Sequence, residues 1–155
     1  MPSVDVSVST VIACPRHRVA SFASEIDNVR KWYVNIKSVE WETEPPTSLG
    51  SRATFVAYFL GKRLAYTYEV VELVPDEKLV MRTTEGPFPM ETSYRWEIVN
   101  ESSTRMTLRN RGKPSGFSSL ISPLMSLMLR RTTSKDLALL KRTLENSDEA
   151  TSEVD

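Results

Sequence analysis

The chain has one cysteine and one histidine in 155 residues, no surplus of either charge, and no long apolar run. A single cysteine, Cys14, excludes an internal disulfide and is compatible with a reducing compartment. Lysine plus arginine equals aspartate plus glutamate at 20 each, so no basic excess is available to neutralise phosphates and no nucleic-acid partner is expected. No window reaches the ~18 apolar residues of a membrane span, and the opening Met-Pro-Ser-Val-Asp lacks the basic and apolar regions of a signal peptide. A cytoplasmic protein without stable membrane insertion is the expectation. With one His, one Cys and no clustered ligand spacing, neither a metal nor another cofactor is expected.

What is present is a long apolar-periodic stretch near the end, from Pro114 to Glu145. Taken as helical from Phe117, it spans roughly 43 Å, enough to cross a small domain. Met125, Leu129, Thr133, Leu137, Leu140 and Leu144 form one stripe at 3–4 spacing, as a core-facing helix requires. Leu120, Ile121, Leu124, Leu127 and Met128 point elsewhere, so the first half is apolar nearly all round while the half after Arg130 has a charged back. Pro123 also allows a helix start or kink there.

Everything earlier reads mostly as sheet. Val4, Val6 and Val8 alternate with polar residues, the period of a half-buried strand. Pro15 then opens a short helix with Val19, Phe22, Ala23 and Ile26, and Asp27 is placed to cap a second holding Val29, Trp32, Tyr33 and Ile36. From Val39 the period returns to two. Strands over Arg52–Leu60, Lys62–Val74, Lys78–Thr84, Thr92–Val99 and Thr104–Arg111 are separated by turn residues, which predicts antiparallel hairpins. Their inner faces are Leu79, Met81 and Thr83; Tyr94, Trp96 and Ile98; and Met106, Leu108 and Asn110. The Arg52–Leu60 strand is apolar on both faces, leaving its inside unassigned, and Val70-Val71 predicts a bulge. One domain over residues 1–146 with a disordered acidic tail, 147–155, completes the layout.

This order, a strand, two short helices, an antiparallel run and a long C-terminal helix, resembles the SRPBCC superfamily. That group includes START lipid-transfer domains, birch-pollen-allergen relatives and polyketide cyclases/dehydrases. The resemblance, to a group of actinobacterial type, is carried by Trp32, by Tyr66-Thr67-Tyr68-Glu69-Val70 leading into Val74-Pro75-Asp76, by Thr84 to Thr92, by Leu108 to Phe117 and by Lys135-Asp136-Leu137. It implies an α+β helix-grip fold, with a six- to seven-stranded antiparallel sheet curled around the long helix and a cavity between them. The expected lining is Tyr66, Tyr68, Met81, Tyr94, Trp96, Met106, Leu108 and Asn110 from the sheet, with Met125, Leu129 and Thr133 from the helix. The loop with Glu85, Phe88 and Met90 is a candidate lid or mouth.

Each candidate has a plainer reading. His17, between Arg16 and Arg18, reads as a surface histidine, and Cys14 as a small buried residue. The tyrosines pack in cores as readily as they touch ligands, Glu85 reads as a solvated loop carboxylate, and Asn110 equally well ties down the chain before the Gly112-Lys113-Pro114 corner. The second apolar face of the helix covers the domain's own cavity entrance, pairs with a second copy through Leu120, Leu124, Leu127 and Met128, or touches a membrane surface. The first two are favoured, since Arg130, Arg131 and Lys135 are too few for strong attraction to anionic lipid. Function follows the same weighing. Binding of a hydrophobic small molecule, such as a lipid or a polyketide-like aromatic, stands ahead of a metal-free polyketide cyclase or dehydratase. No inward acid or base can be placed except Asp136 at the edge of the helix stripe. A protein-interaction module is the third class.

Overall fold

The computed structural model describes residues 4–59, 61–113 and 122–154. Strand β1 (Val4–Ile12) leads through Pro15 into helix α1 (Arg16–Ser24), a 3-10 turn (Ile26–Asn28) and the single-turn helix α2 (Val29–Trp32). Six strands follow: β2 (Ile36–Trp41), β3 (Arg52–Phe59), β4 (Lys62–Val74), β5 (Lys78–Glu85), β6 (Met90–Asn100) and β7 (Ser103–Gly112). Helix α3 runs from Ser122 to Val154. The sheet is antiparallel in the order β1-β7-β6-β5-β4-β3-β2, so the first strand closes against the last and the rest follow as consecutive hairpins. This is the helix-grip arrangement.

Four local expectations change. Ile36 is in β2, opposite Ala57, because Tyr33 turns extended and ends α2 at Trp32. Asp27 caps nothing: it lies within the 3-10 turn, and its carboxylate accepts from Trp41 Nε1 at 2.6 Å. Ile98 is exposed beside the β6–β7 turn rather than on a covered face. The segment from Ser147, polar enough to predict disorder, continues α3 to Val154; Glu149 and Ala150 are good helix formers. The predicted bulge on β4 is present, where the register shifts between Val70 and Glu72. Within the described residues α3 begins at Ser122, with Pro123 next, whereas Phe117, Leu120 and Ile121 lie outside the described residues.

Helix α3 lies along the β1 edge and is tied to it. Arg130 donates to the Ser7 carbonyl at 3.1 Å and Lys141 to the Val11 carbonyl at 2.9 Å. These cations occupy edge-strand acceptors that would otherwise be open to pairing with another chain. Three buried clusters result. The largest joins α1, Trp32, the middle of β5–β7 and the C-terminal half of α3 through Leu137, Leu140 and Leu144. A second holds Val4, Val6, Phe88 and Met125, and a third Ile26, Val29, Ala53 and Phe55. Ala53 and Phe55 thereby identify the inner face of β3, which alternation alone left open.

Candidate functional site

The three clusters do not close on one another, and between them lies a cavity of about 160 Å³. Members of all three line it, among them Met81 and Tyr94, Phe88 and Met125, and Val29 and Phe55. Of the eleven lining residues expected from sequence, Tyr66, Tyr68, Met81, Tyr94, Asn110, Met125, Leu129 and Thr133 border it. Trp96, Met106 and Leu108 do not. They face the right side of the sheet, but α1 and the second half of α3 cover that part, and the Trp96 indole donates to Met106 Sδ at 3.2 Å inside the packed core.

The loop residues divide similarly. Phe88 is buried and Met90 half-buried, both against the cavity, with the Phe88 ring edge-on to Tyr66 at 5.8 Å. Glu85 is exposed and is not part of the lining. The loop is seated closely. Lys113 N donates to the Pro89 carbonyl at 3.2 Å, and a Cβ on Gly86 would come within 2.6 Å of the Tyr66 ring, so only glycine lets the turn approach it.

The polar groups form two sets. On one wall Thr92 Oγ1 donates to Asn110 Oδ1 at 2.7 Å, and Asn110 Nδ2 donates to Thr133 Oγ1 at 3.4 Å. Thr92 Oγ1 also lies 3.4 Å from the Tyr68 hydroxyl. Asn110 therefore joins sheet to helix rather than bracing the Gly112 corner. Burial pushes the Tyr68 phenol up to about 12 and raises Tyr66 further, so both are neutral donors at any physiological pH.

The second set was hardly visible in the sequence. Tyr33, delivered inward by the end of α2, shares a 2.6 Å hydrogen bond with the Tyr94 hydroxyl. Beside them Asp136 is only 3% exposed, and its Oδ1 accepts from Val34 N at 2.9 Å. Its second oxygen has no hydrogen-bond partner among the described residues, on a side chain that borders the cavity. Burial is the main cause that lifts this carboxyl from 3.8 to about 7, opposed only by the Val34 amide. Burial likewise raises Tyr33 and Tyr94 well above the ordinary phenol range, with the neighbouring tyrosine and Asp136 acting on both. Asp136, seven positions after Leu129 and three after Thr133, stands on the pocket face of the helix. A carboxylate on an apolar stripe was the one available signal.

His17 and Cys14 take no part. His17 is exposed, with Nδ1 3.1 Å from the Asp76 carboxylate, and Cys14 is buried in the main core, where desolvation raises its thiol. Among the described residues no helix is long and apolar enough to cross a membrane.

A half-barrel of antiparallel strands gripping a long helix over an apolar cavity is the architecture of the START/SRPBCC superfamily. Residues 3–145 match the family described as polyketide cyclase/dehydrase and lipid transport, and the chain belongs to that family. No curated protein matches it by sequence. Among solved structures it is similar to a protein from Thermus thermophilus, at 19% identity and TM-score 0.80, over 92% of this chain and 98% of that one. A START superfamily protein from Mycobacterium smegmatis aligns at 14% identity and TM-score 0.75 over 92% and 97% of the two chains. An aromatase/cyclase from a Streptomyces species aligns at 15% and 0.79 over 92% and 94%.

Proposed function

We propose that this protein binds a compact, mainly apolar molecule carrying one polar end, as a carrier or sensor. The observation behind the reading is the division of the cavity. Phe55, Met81, Met125 and Leu129 supply apolar walls, and Tyr33, Tyr94 and Asp136 gather hydrogen-bonding groups at one place. Size narrows the ligand. A cavity of about 160 Å³ is close to the ~150 Å³ site that holds a benzene ring and below the ~300 Å³ of ordinary ligand pockets. A single ring or short acyl segment fills it, and a fused polyketide would have to extend through the mouth.

Asp136 supports a second reading, a cyclase or dehydratase without metal. Ring closure with loss of water requires one group that gives a proton to an oxygen and takes one from carbon. A half-ionised buried carboxyl beside two phenols can do both. Only substrate turnover distinguishes this from binding.

Native mass spectrometry of the purified protein, with extraction of anything bound, tests the first reading. A co-purifying apolar molecule that is lost in Tyr94→Phe or Met125→Trp is the expected result. If no member of a panel of single-ring aromatics and short-chain acyl compounds raises the melting temperature, the cavity does not serve as a ligand site. Consumption of a poly-β-keto substrate that vanishes in Asp136→Asn while binding persists would shift the assignment to the enzyme.

A further inference from the structure

Among the described residues Asp136 is the one ionisable acid or base that the fold buries, and it has no cation beside it. Other carboxylates, on the sheet and along α3, have one at 2.6 or 2.7 Å: Asp5 has Arg109, Glu91 has Arg82 and Arg111, and Glu145 has Lys141. Asp136 accepts a single hydrogen bond, from the Val34 amide. Its second oxygen is not sealed in protein either. Among the described residues the orphan polar atom shut off from water is Trp32 Nε1, in the packed core, whereas Asp136 borders the cavity.

The rest of the wall supplies nothing to match the carboxylate. Among the described residues the lining holds no lysine, arginine or histidine; Asn35, Thr92, Asn110, Thr132 and Thr133 are neutral, and burial keeps Tyr33, Tyr66, Tyr68 and Tyr94 protonated. The sequence of residues 114–121, Pro-Ser-Gly-Phe-Ser-Ser-Leu-Ile, contains no charged side chain that could do so. A carboxyl in such a place either keeps its proton or is joined by a cation from outside the chain.

The walls decide what kind of cation. A bare metal ion asks for about six oxygen ligands or more, and the apolar surface would go unused. An ammonium asks for less. Its N–H groups can be met by the free Asp136 oxygen and by the phenol oxygens of Tyr33 and Tyr94, whose shared 2.6 Å bond consumes one proton and leaves lone pairs on both. The aromatic rings of the lining add attraction for a positive charge, and Phe55, Met81, Met125 and Leu129 receive a hydrocarbon body. A carboxylate or phosphate end would meet a like charge and find no cation.

We propose that the cavity selects a compact organic amine, a single ring or a short chain, whose ammonium pairs with the free oxygen of Asp136 while its hydrocarbon part fills the apolar end. That assignment rests on the cavity being a ligand site and names the chemistry of the ligand's polar end. It also fixes a pH dependence. Burial lifts the empty carboxyl to about 7, and the amine is held by the ionised form, so below that pH binding displaces a proton. The titratable groups facing Asp136 are Tyr33 at the end of α2 and Tyr94 on β6, and neither ionises near neutrality.

Matched sets test the assignment: benzylamine, phenethylamine and butylamine against the alcohols and the carboxylates of the same carbon skeletons, by titration calorimetry and melting shifts. At about pH 8 the amines should bind roughly tenfold or more tighter than the alcohols, and the carboxylates not at all. Amine affinity should fall about tenfold per pH unit below about 7, with roughly one proton released per amine bound at about pH 6. Asp136→Asn should bring the amines down to the level of the alcohols and abolish the proton release. The pH dependence is read on the unaltered protein, so the outcome does not hang on the variant's folding. Alcohols that bind as tightly as amines, carboxylates that bind best, or amine binding without proton release overturn the proposal and leave the cavity a ligand site. If no member of any set binds, the ligand site itself falls and the amine with it.

Discussion

Leu140 and Leu129 sit on the same helix, in the same stripe, three turns apart, and they meet different surroundings. Leu140 is fully buried against α1, Trp32 and the middle strands. Leu129 is half-buried with open cavity on one side. The difference is made by what faces the helix. Opposite Leu140, α1 and Trp32 fill the concave side of the sheet; Leu129, among the described residues, packs against the Val4, Val6, Phe88 and Met125 cluster on one side and borders the cavity on the other. An identical sequence pattern thus yields a packed core at one end and a binding chamber at the other.

The largest effect is expected in the packed half. Leu140→Ala should cost about 2–5 kcal/mol in urea denaturation, the full price of a cavity in a close-packed core. A loss under about 1 kcal/mol would mean that this half is as loosely filled as the other.

Asp136→Asn tests the buried carboxyl. Its folded value, about 7 against 3.8, means that the folded state holds a proton that the unfolded chain has released. The neutral acid is fully tolerated below about pH 4, and stability then falls as pH rises through about 7. The asparagine variant should lose that fall and be more stable than the parent at pH 8 by about 1–4 kcal/mol. An unchanged pH profile would show that Asp136 is solvated or paired.

Tyr94→Phe leaves the Tyr33 hydroxyl without its 2.6 Å partner, at a cost of about 1–3 kcal/mol, and should weaken ligand-induced stabilisation more than it lowers Tm. Leu129→Ala should be the mildest, about 1 kcal/mol, because much of its surface already faces empty space. A cost equal to that of Leu140→Ala would erase the distinction between the two halves.

Periodicity and turn chemistry carried most of the architecture. Alternation in β5, β6 and β7, the break at Pro15, the bulge at Val70-Val71 and the long helical stripe are local properties, set by which spacing buries apolar atoms. The same alternation put Tyr94 and Trp96 on one face but could not say that α1 would cover the second and leave the first at the cavity. It could not orient β3, whose faces are equally apolar. Nor could it bring Tyr33 and Asp136, separated by more than a hundred positions, to the same wall.

Element order, the inward placing of Tyr66, Tyr68 and Tyr94 and the zero net charge follow from local pattern and composition. Where the interior stays open is a property of the assembled fold, because a void is defined by which elements fail to meet.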